Sequence, residues 1–191
     1  MKAALWQLLK NRRMDIQQLI NQVRKGMPLA QKEMFMRFSP ELYKVACRYC
    51  SDGHTANDII QESWIKIFNN LSTYKEEGKF ESWCKVIVIR TALSHRRKLK
   101  IHVDINEFGF DDYSLDPQVL MDMKLDDLMK VIDSIPRDYG DIFKLFVIEG
   151  YSHKEIAELL DISPSTSRCK VSLARKKLRS ILSHNIKSMT I

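Results

Sequence analysis

Apolar residues recur along most of this chain at intervals of three and four, the spacing that places side chains on one face of an α-helix. Ile16, Leu19, Ile20 and Val23 make one such stripe and predict a helix over 14–25. A second helix is expected over 29–38. Ser39-Pro40 then reads as an N-cap and first-turn proline opening a third, which carries Leu42, Val45, Ala46 and Tyr49 and ends near Ser51-Asp52-Gly53. Thr55 with Asp58 reads as the cap of a helix reaching Leu71, with Ile60, Trp64, Ile67 and Leu71 as its core stripe. A loop over 73–79 leads into a helix from Phe80 to Lys100. Its run Val86-Ile87-Val88-Ile89 is β-branched, yet Trp83, Ile87 and Arg90 keep helical spacing.

The polar positions then change character. Arg90 to Lys100 holds five basic residues and no acid, whereas Ile101 to Asp133 holds nine acids (Asp104, Glu107, Asp111, Asp112, Asp116, Asp122, Asp126, Asp127, Asp133) against Lys124 and Lys130. With Gly109, Pro117 and no sustained period, 101–119 is expected to be an acidic, flexible linker, and the helical pattern resumes near Leu120. The predicted fold class is therefore all-α, two small helical domains joined by that linker.

The second domain ends in the most telling pattern. Ser152 with Glu155 is a capping box, Ile156, Ala157 and Leu160 form a buried stripe, and Asp161-Ile162-Ser163 makes a three-residue turn. Ser163-Pro164 then caps a second helix whose Val171, Ala174 and Leu178 face inward. From Ser163 to Ser180 there are six positive charges (Arg168, Lys170, Arg175, Lys176, Lys177, Arg179) and no acid. This reads as a helix-turn-helix whose second helix suits a DNA major groove, its first residues at base edges and its later cations at phosphates, the alternative being a solvated basic face on an ordinary helix pair.

Composition narrows the field less. The 191 residues are 45% hydrophobic and 29% charged, ordinary for a globular chain, and the net charge of +7 favours an anionic partner. No apolar run approaches the roughly 18 residues of a spanning helix, and Ala3-Ala4-Leu5-Trp6 is too short for a signal-peptide core, so no membrane insertion and a cytoplasmic location are expected. In that reducing compartment Cys47, Cys50, Cys84 and Cys169 are expected as thiols. Cys47-x-x-Cys50 with His54 lacks a fourth ligand at zinc spacing and falls within a helical pattern, so packing is the preferred reading and no metal is assigned. Gly-rich phosphate loops, zinc-protease motifs and nucleophile elbows are missing from the sequence, so no cofactor and no enzyme activity are expected.

The motifs also occur in a specific order. Asp58-Ile59-Ile60-Gln61-Glu62-Ser63-Trp64-Ile65-Lys66-Ile67-Phe68 is followed by Phe80-x-x-Trp83, a basic helix end, the acidic linker, Ile135-Pro136, and Gly150-Tyr151-Ser152-His153-Lys154-Glu155-Ile156-Ala157. From about Leu29 to Leu182 the chain resembles the bacterial RNA polymerase sigma factors of the extracytoplasmic-function (ECF) group of the sigma-70 family. It departs from that pattern at Arg90, Ser94, Asp161, Ser165, Ser167 and Leu173, and residues 1–13 lie outside it, which makes Met14 an alternative to Met1 as the start.

The resemblance implies a division of labour. Residues 1–25 would be an N-terminal extension and first helix, 26–100 a region 2-like domain, 101–119 the linker and 120–185 a region 4-like helix-turn-helix domain. Core polymerase docking would fall to Asp58, Gln61, Glu62 and Ile65, which share a helix face separate from the core stripe. Recognition and melting of the −10 element would fall to Tyr74, Lys79, Phe80, Trp83, Arg90, Arg96 and Arg97, since melted bases need aromatic surfaces and nearby cations. Phe80 and Trp83 serve equally well as core residues. Recognition of the −35 element would fall to Ser165, Thr166, Arg168, Cys169, Ser172, Arg175 and Lys176. The implied partners are core RNA polymerase and promoter DNA, with an anti-sigma factor, membrane-bound or soluble, as a further candidate. The competing reading, a stand-alone helix-turn-helix regulator, leaves the first hundred residues unexplained.

Overall fold

The computed structural model describes residues 14–50, 52–76, 78–98 and 125–188, and all regular structure among them is helical. The linker expected over 101–119 and the segments 1–13 and 120–124 lie outside the described residues. The chain divides into two compact units, 1–101 and 102–191.

The first unit is built from α1 (Ile16–Arg24), α2 (Pro28–Cys47), α3 (Gly53–Asn70) and α4 (Phe80–Lys98). Helices α2, α3 and α4 pack on one another, and α1 lies against α2. Leu42, Val45, Ala46, Ile59, Ile67, Val88 and Ile89 are wholly buried between them. Each large apolar side chain so placed contributes about 1.5–3 kcal/mol relative to exposure. The core stripe expected of α3 is inside as expected, with Ile60, Trp64, Ile67 and Leu71 all buried.

Two local expectations fail. Ser39-Pro40 does not open a new helix: α2 runs unbroken from Pro28, itself the first-turn proline, with Pro40 in its interior. Proline there forfeits one backbone hydrogen bond. Pro40 is exposed, where water can serve the orphaned carbonyl, and the neighbouring Ser39 Oγ accepts from Trp64 Nε1 at 2.9 Å, tying α2 to α3. Nor does Thr55 cap α3. Asp52 does, its carboxylate accepting from the Thr55 backbone N–H and hydroxyl, both at 2.8 Å, so the cap lies three residues earlier. The Cys47-x-x-Cys50 pair straddles the end of α2, with Cys47 exposed rather than packed.

Arg24, the last residue of α1, fixes the connection after α3. Its guanidinium donates to the carbonyls of Leu71 (3.3 Å) and Tyr74 (2.7 Å) and pairs with Glu76 (2.8 Å). Glu76 adopts a left-handed φ of 63°, costly for a residue with a Cβ, with its carboxylate bonded to Gln17 and Arg24.

The second unit contains α5 (Leu125–Asp133), α6 (Arg137–Phe143), a π-helical turn (Lys144–Ile148), α7 (His153–Leu160) and α8 (Pro164–Ser188). Helix α8 packs on both α6 and α7. The capping box at α7 is formed: Ser152 Oγ accepts from Glu155 N–H, and the Glu155 carboxylate accepts from Ser152 N–H at 2.7 Å. Asp161 closes α7 in the left-handed conformation, φ 56°, as a turn aspartate tolerates. Ser163 Oγ caps α8 by accepting from Thr166 N–H at 3.0 Å. Ile156, Ala157, Val171, Ala174 and Leu178 are buried, while Leu160 is half-exposed.

The π-turn was not foreseen. It carries Lys144, which is 2% exposed and bound to Asp133 of α5 at 2.6 Å. A lysine inside the domain is tolerable only when so paired.

Candidate nucleic-acid and docking interfaces

The face of α3 opposite the core brings Asp58, Gln61 and Ile65 together in solvent, with Ile65 62% exposed. A single exposed isoleucine among polar neighbours is ordinary on a helix surface, and it also leaves an apolar contact open to a partner. Asp58 faces His54 at 3.3 Å. Glu62 differs from its neighbours on this face. It is half-buried, pairs with Lys66 at 2.7 Å and with His95 Nε2 of α4 at 2.7 Å, and Lys66 in turn donates to Thr91 Oγ1. Lys66, then His95, hold its carboxyl below the usual range against the opposing effect of burial. Glu62 is thus part of the α3–α4 junction as well as of the face.

The aromatic residues expected at the −10 element form one cluster. Phe80 sits 5.3 Å from Phe38, 5.4 Å from Tyr74 and 5.7 Å from Trp83, ring centroid to ring centroid, and Tyr74 lies 5.3 Å from Trp83. Tyr74 and Phe80 are 7% and 5% exposed, and the Tyr74 hydroxyl donates to the Gly78 carbonyl at 2.8 Å. Their rings are occupied by each other, so in this conformation these two are core residues and not base-stacking surfaces. Trp83 is half-exposed at the edge of the cluster, with Lys79 and Arg90 in solvent. The side chains of Arg96 and Arg97 lie outside the described residues.

On α8 the expected residues share one face. Ser165, Arg168, Ser172 and Lys176 are exposed, and Cys169 and Arg175 are half-buried between them. The hydroxyls of Ser165 and Thr166 both bond to Ser163 Oγ, at 2.7 and 2.8 Å, which fixes the first turn. Lys170, one of the six positive charges counted from the sequence, is bound to Asp138 of α6 at 3.1 Å and ties α8 to α6. Missed altogether was a cluster beneath this face. The His153 ring stacks on Phe146 at 4.4 Å and 11°, its Nδ1 lies 3.0 Å from the buried Ser167 hydroxyl, and the Arg175 guanidinium lies over the same Phe146 ring at 5.8 Å. Burial first, then the charges of Arg168 and Arg175, push the His153 imidazole down. Nothing local in the sequence could pair residues 146, 153, 167 and 175.

Among the described residues no group of three or more His, Cys, Asp or Glu side chains gathers where a metal could sit. Cys84 is buried, and its thiol is pushed far up by desolvation.

Comparison with known proteins agrees with this geometry. Residues 34–101 match the family described as Sigma-70 region 2, and residues 125–178 match Sigma-70, region 4. The ECF RNA polymerase sigma factor SigE of Mycolicibacterium smegmatis is 30% identical over 156 residues, covering 78% of this chain; the chain spans 60% of that relative's length. SigW of Bacillus subtilis is 25% identical over 179 residues, with 87% of this chain and 96% of the relative covered. Among solved structures, the sigma factor RpoE bound to the anti-sigma factor NepR from Bartonella quintana aligns with a TM-score of 0.55 at 20% identity, over 80% of this chain and 96% of that one. CnrH in complex with the cytosolic domain of CnrY aligns at 0.54 and 17% identity, over 87% and 96%. Both sigma regions, in the family's order and together covering more than half of the sequence, place the chain in the ECF group of the sigma-70 family of RNA polymerase sigma factors.

Proposed function

We infer that the protein binds core RNA polymerase and directs promoter-specific initiation, dividing that work between its two helical units. Residues 26–100 dock on polymerase and act at the −10 element, 101–119 link the units, and 120–185 read the −35 element. The observation that carries this reading is the presence on one chain of both sigma regions, each with an exposed face of matching chemistry: the polar face around Ile65 on α3 and the basic face of α8. A stand-alone regulator would have no use for the first of these.

Within that scheme Asp58, Gln61, Glu62 and Ile65 contact polymerase. Trp83, Lys79 and Arg90 act at the −10 element, with Tyr74 and Phe80 shaping the surface beneath them. Ser165, Arg168, Cys169 and Ser172 meet base edges, Arg175 and Lys176 meet phosphates, and Thr166 serves the helix start. The protein is a DNA-binding initiation factor; bond-making belongs to the polymerase, and no side chain here is given a catalytic role. Among the described residues no helix is long and apolar enough to cross a membrane, which suits action beside polymerase in the cytoplasm. RpoE was solved with the anti-sigma factor NepR and CnrH with the cytosolic domain of CnrY, and an anti-sigma factor covering the docking face is the further partner class we assign here.

The test is reconstitution. Purified protein added to core polymerase and offered a random promoter library is expected to yield transcripts sharing two spaced elements. Tight operator binding by the free protein, with no effect on polymerase, would overturn the reading.

A further inference from the structure

Recognition of a base edge demands that the reading side chains be held within about 0.5 Å and 10–20° of their productive geometry. Helix α8 is seated on α6 and α7 by Val171, Ala174 and Leu178, and Lys170 ties it to Asp138 of α6 at 3.1 Å. Its rotation about its own axis in the first two turns, where Arg168 sits, depends as well on what holds its α7 side.

A side-chain hydrogen bond joins α7 to that part of α8, between His153 Nδ1 and the Ser167 hydroxyl at 3.0 Å. His153 is the first residue of α7, immediately after the Ser152 cap, so its backbone is anchored by the capping box. Its ring is clamped flat on Phe146, whose position comes from the π-turn held by Lys144 and Asp133. Ser167 is wholly buried and directly precedes Arg168. The same Phe146 ring carries the Arg175 guanidinium at a distance suited to a cation–π contact. One histidine therefore links three elements to the residues on either side of the reading face.

We propose that His153 is a positioning residue for −35 recognition: stacked on Phe146 and bonded to Ser167, it sets the rotation of α8 and, through the shared Phe146 ring, the aim of Arg175. The inference rests on α8 being the −35 reader. Its two contacts can be separated, because Asn presents a polar atom on Cγ where His presents Nδ1, whereas Phe keeps the ring and loses the hydrogen bond. Loss of His153 also frees the Ser167 hydroxyl to bond back to the carbonyl four residues earlier, which bends helices.

The experiment uses the full chain with core polymerase on a library randomised at the −35 element. Wild type, His153→Ala, His153→Asn, His153→Phe, Ser167→Ala and the double variant His153→Ala/Ser167→Ala are compared, and polymerase binding and thermal unfolding are measured alongside. His153→Phe and Ser167→Ala are expected to flatten base preference at the positions read by the first turns of α8 by roughly five- to tenfold. His153→Asn should retain it. The double variant should be no flatter than either single alanine variant, and polymerase affinity should stay unchanged. Should His153→Ala fail to fold, the Asn and Phe variants still decide the question. Base preference unchanged in His153→Phe, or additive losses in the double variant, would overturn the proposal while leaving the −35 assignment intact. A wild-type complex with no −35 preference would overturn both.

Discussion

The two units expose their functional chemistry in opposite ways. In the second, helix α8 turns one face to the core and another to solvent, so Ser165, Arg168, Ser172 and Lys176 are displayed by helical periodicity alone. In the first, several residues with the right chemistry are already engaged: Tyr74 and Phe80 in an aromatic cluster, Glu62 in an ion-pair junction between α3 and α4. Residue type is therefore a sound guide to exposure on the basic helix and a poor one among the aromatics. Substitutions in the first unit should mix stability with function, whereas those on the α8 face should separate them.

The largest expected effect tests that mixing. Phe80→Ala should destabilise the first unit by about 3–5 kcal/mol, the cost of emptying an aromatic core site, read as a lower midpoint in urea unfolding. A loss below about 0.5 kcal/mol would mean that Phe80 is a surface residue available for bases and that the comparison is drawn wrongly.

On α8 the effects should appear in DNA recognition. Arg168→Ala is expected to cost about 1–3 kcal/mol at the preferred −35 element and to relax preference at one or two base pairs. Lys176→Ala should weaken all sequences alike and lower the salt slope by about one. Transcription selection at several salt concentrations distinguishes the two, and identical behaviour of both variants would remove the distinction between base-edge and phosphate residues.

These contrasts bear on how much was legible in the sequence. The helix-turn-helix was legible down to its caps because Ser152 with Glu155, and Ser163 with Pro164, act over three residues, and the structure forms both. The core stripe of α3 was legible for the same reason of periodicity. Pro40 misled because its local preference for a helix start was overridden by packing of the whole of α2, and Thr55 because Asp52, three residues earlier, accepts from the Thr55 N–H and draws Thr55 into the first turn. The Lys144–Asp133 pair and the His153 cluster were illegible in principle. Each depends on residues 7 to 29 positions apart meeting across elements, and no periodicity encodes that.

A smaller effect separates two neighbours on the docking face. Charge reversal at Glu62 should lower the stability of the first unit measurably, because Lys66 and His95 lose their common partner, an effect trimmed by solvent since Glu62 is half-exposed. The same change at the exposed Asp58 should cost less than about 0.5 kcal/mol. Equal stability losses would show that Glu62 plays no part in the α3–α4 junction.

The smallest effect is in pH. The His153 imidazole is pushed below its ordinary value of 6.5 by burial and by Arg168 and Arg175. As pH falls through 6.5 the unfolded chain takes up the proton first, so its contribution to stability is complete above that value and is lost as pH drops toward the lowered folded-state value. Thermal unfolding of wild type should therefore decline more steeply than that of His153→Asn between about pH 6.5 and 5. Parallel curves would place His153 in solvent.

The most direct test of the two-interface account is the affinity of labelled protein for core polymerase in Asp58→Lys and Arg168→Ala, measured beside −35 preference for each. Asp58→Lys should weaken polymerase binding and leave the preferred sequence unchanged, while Arg168→Ala should bind polymerase as wild type does and relax the sequence. If Asp58→Lys binds polymerase with full affinity, or if Arg168→Ala loses polymerase and keeps its sequence preference, the division of labour between α3 and α8 is contradicted.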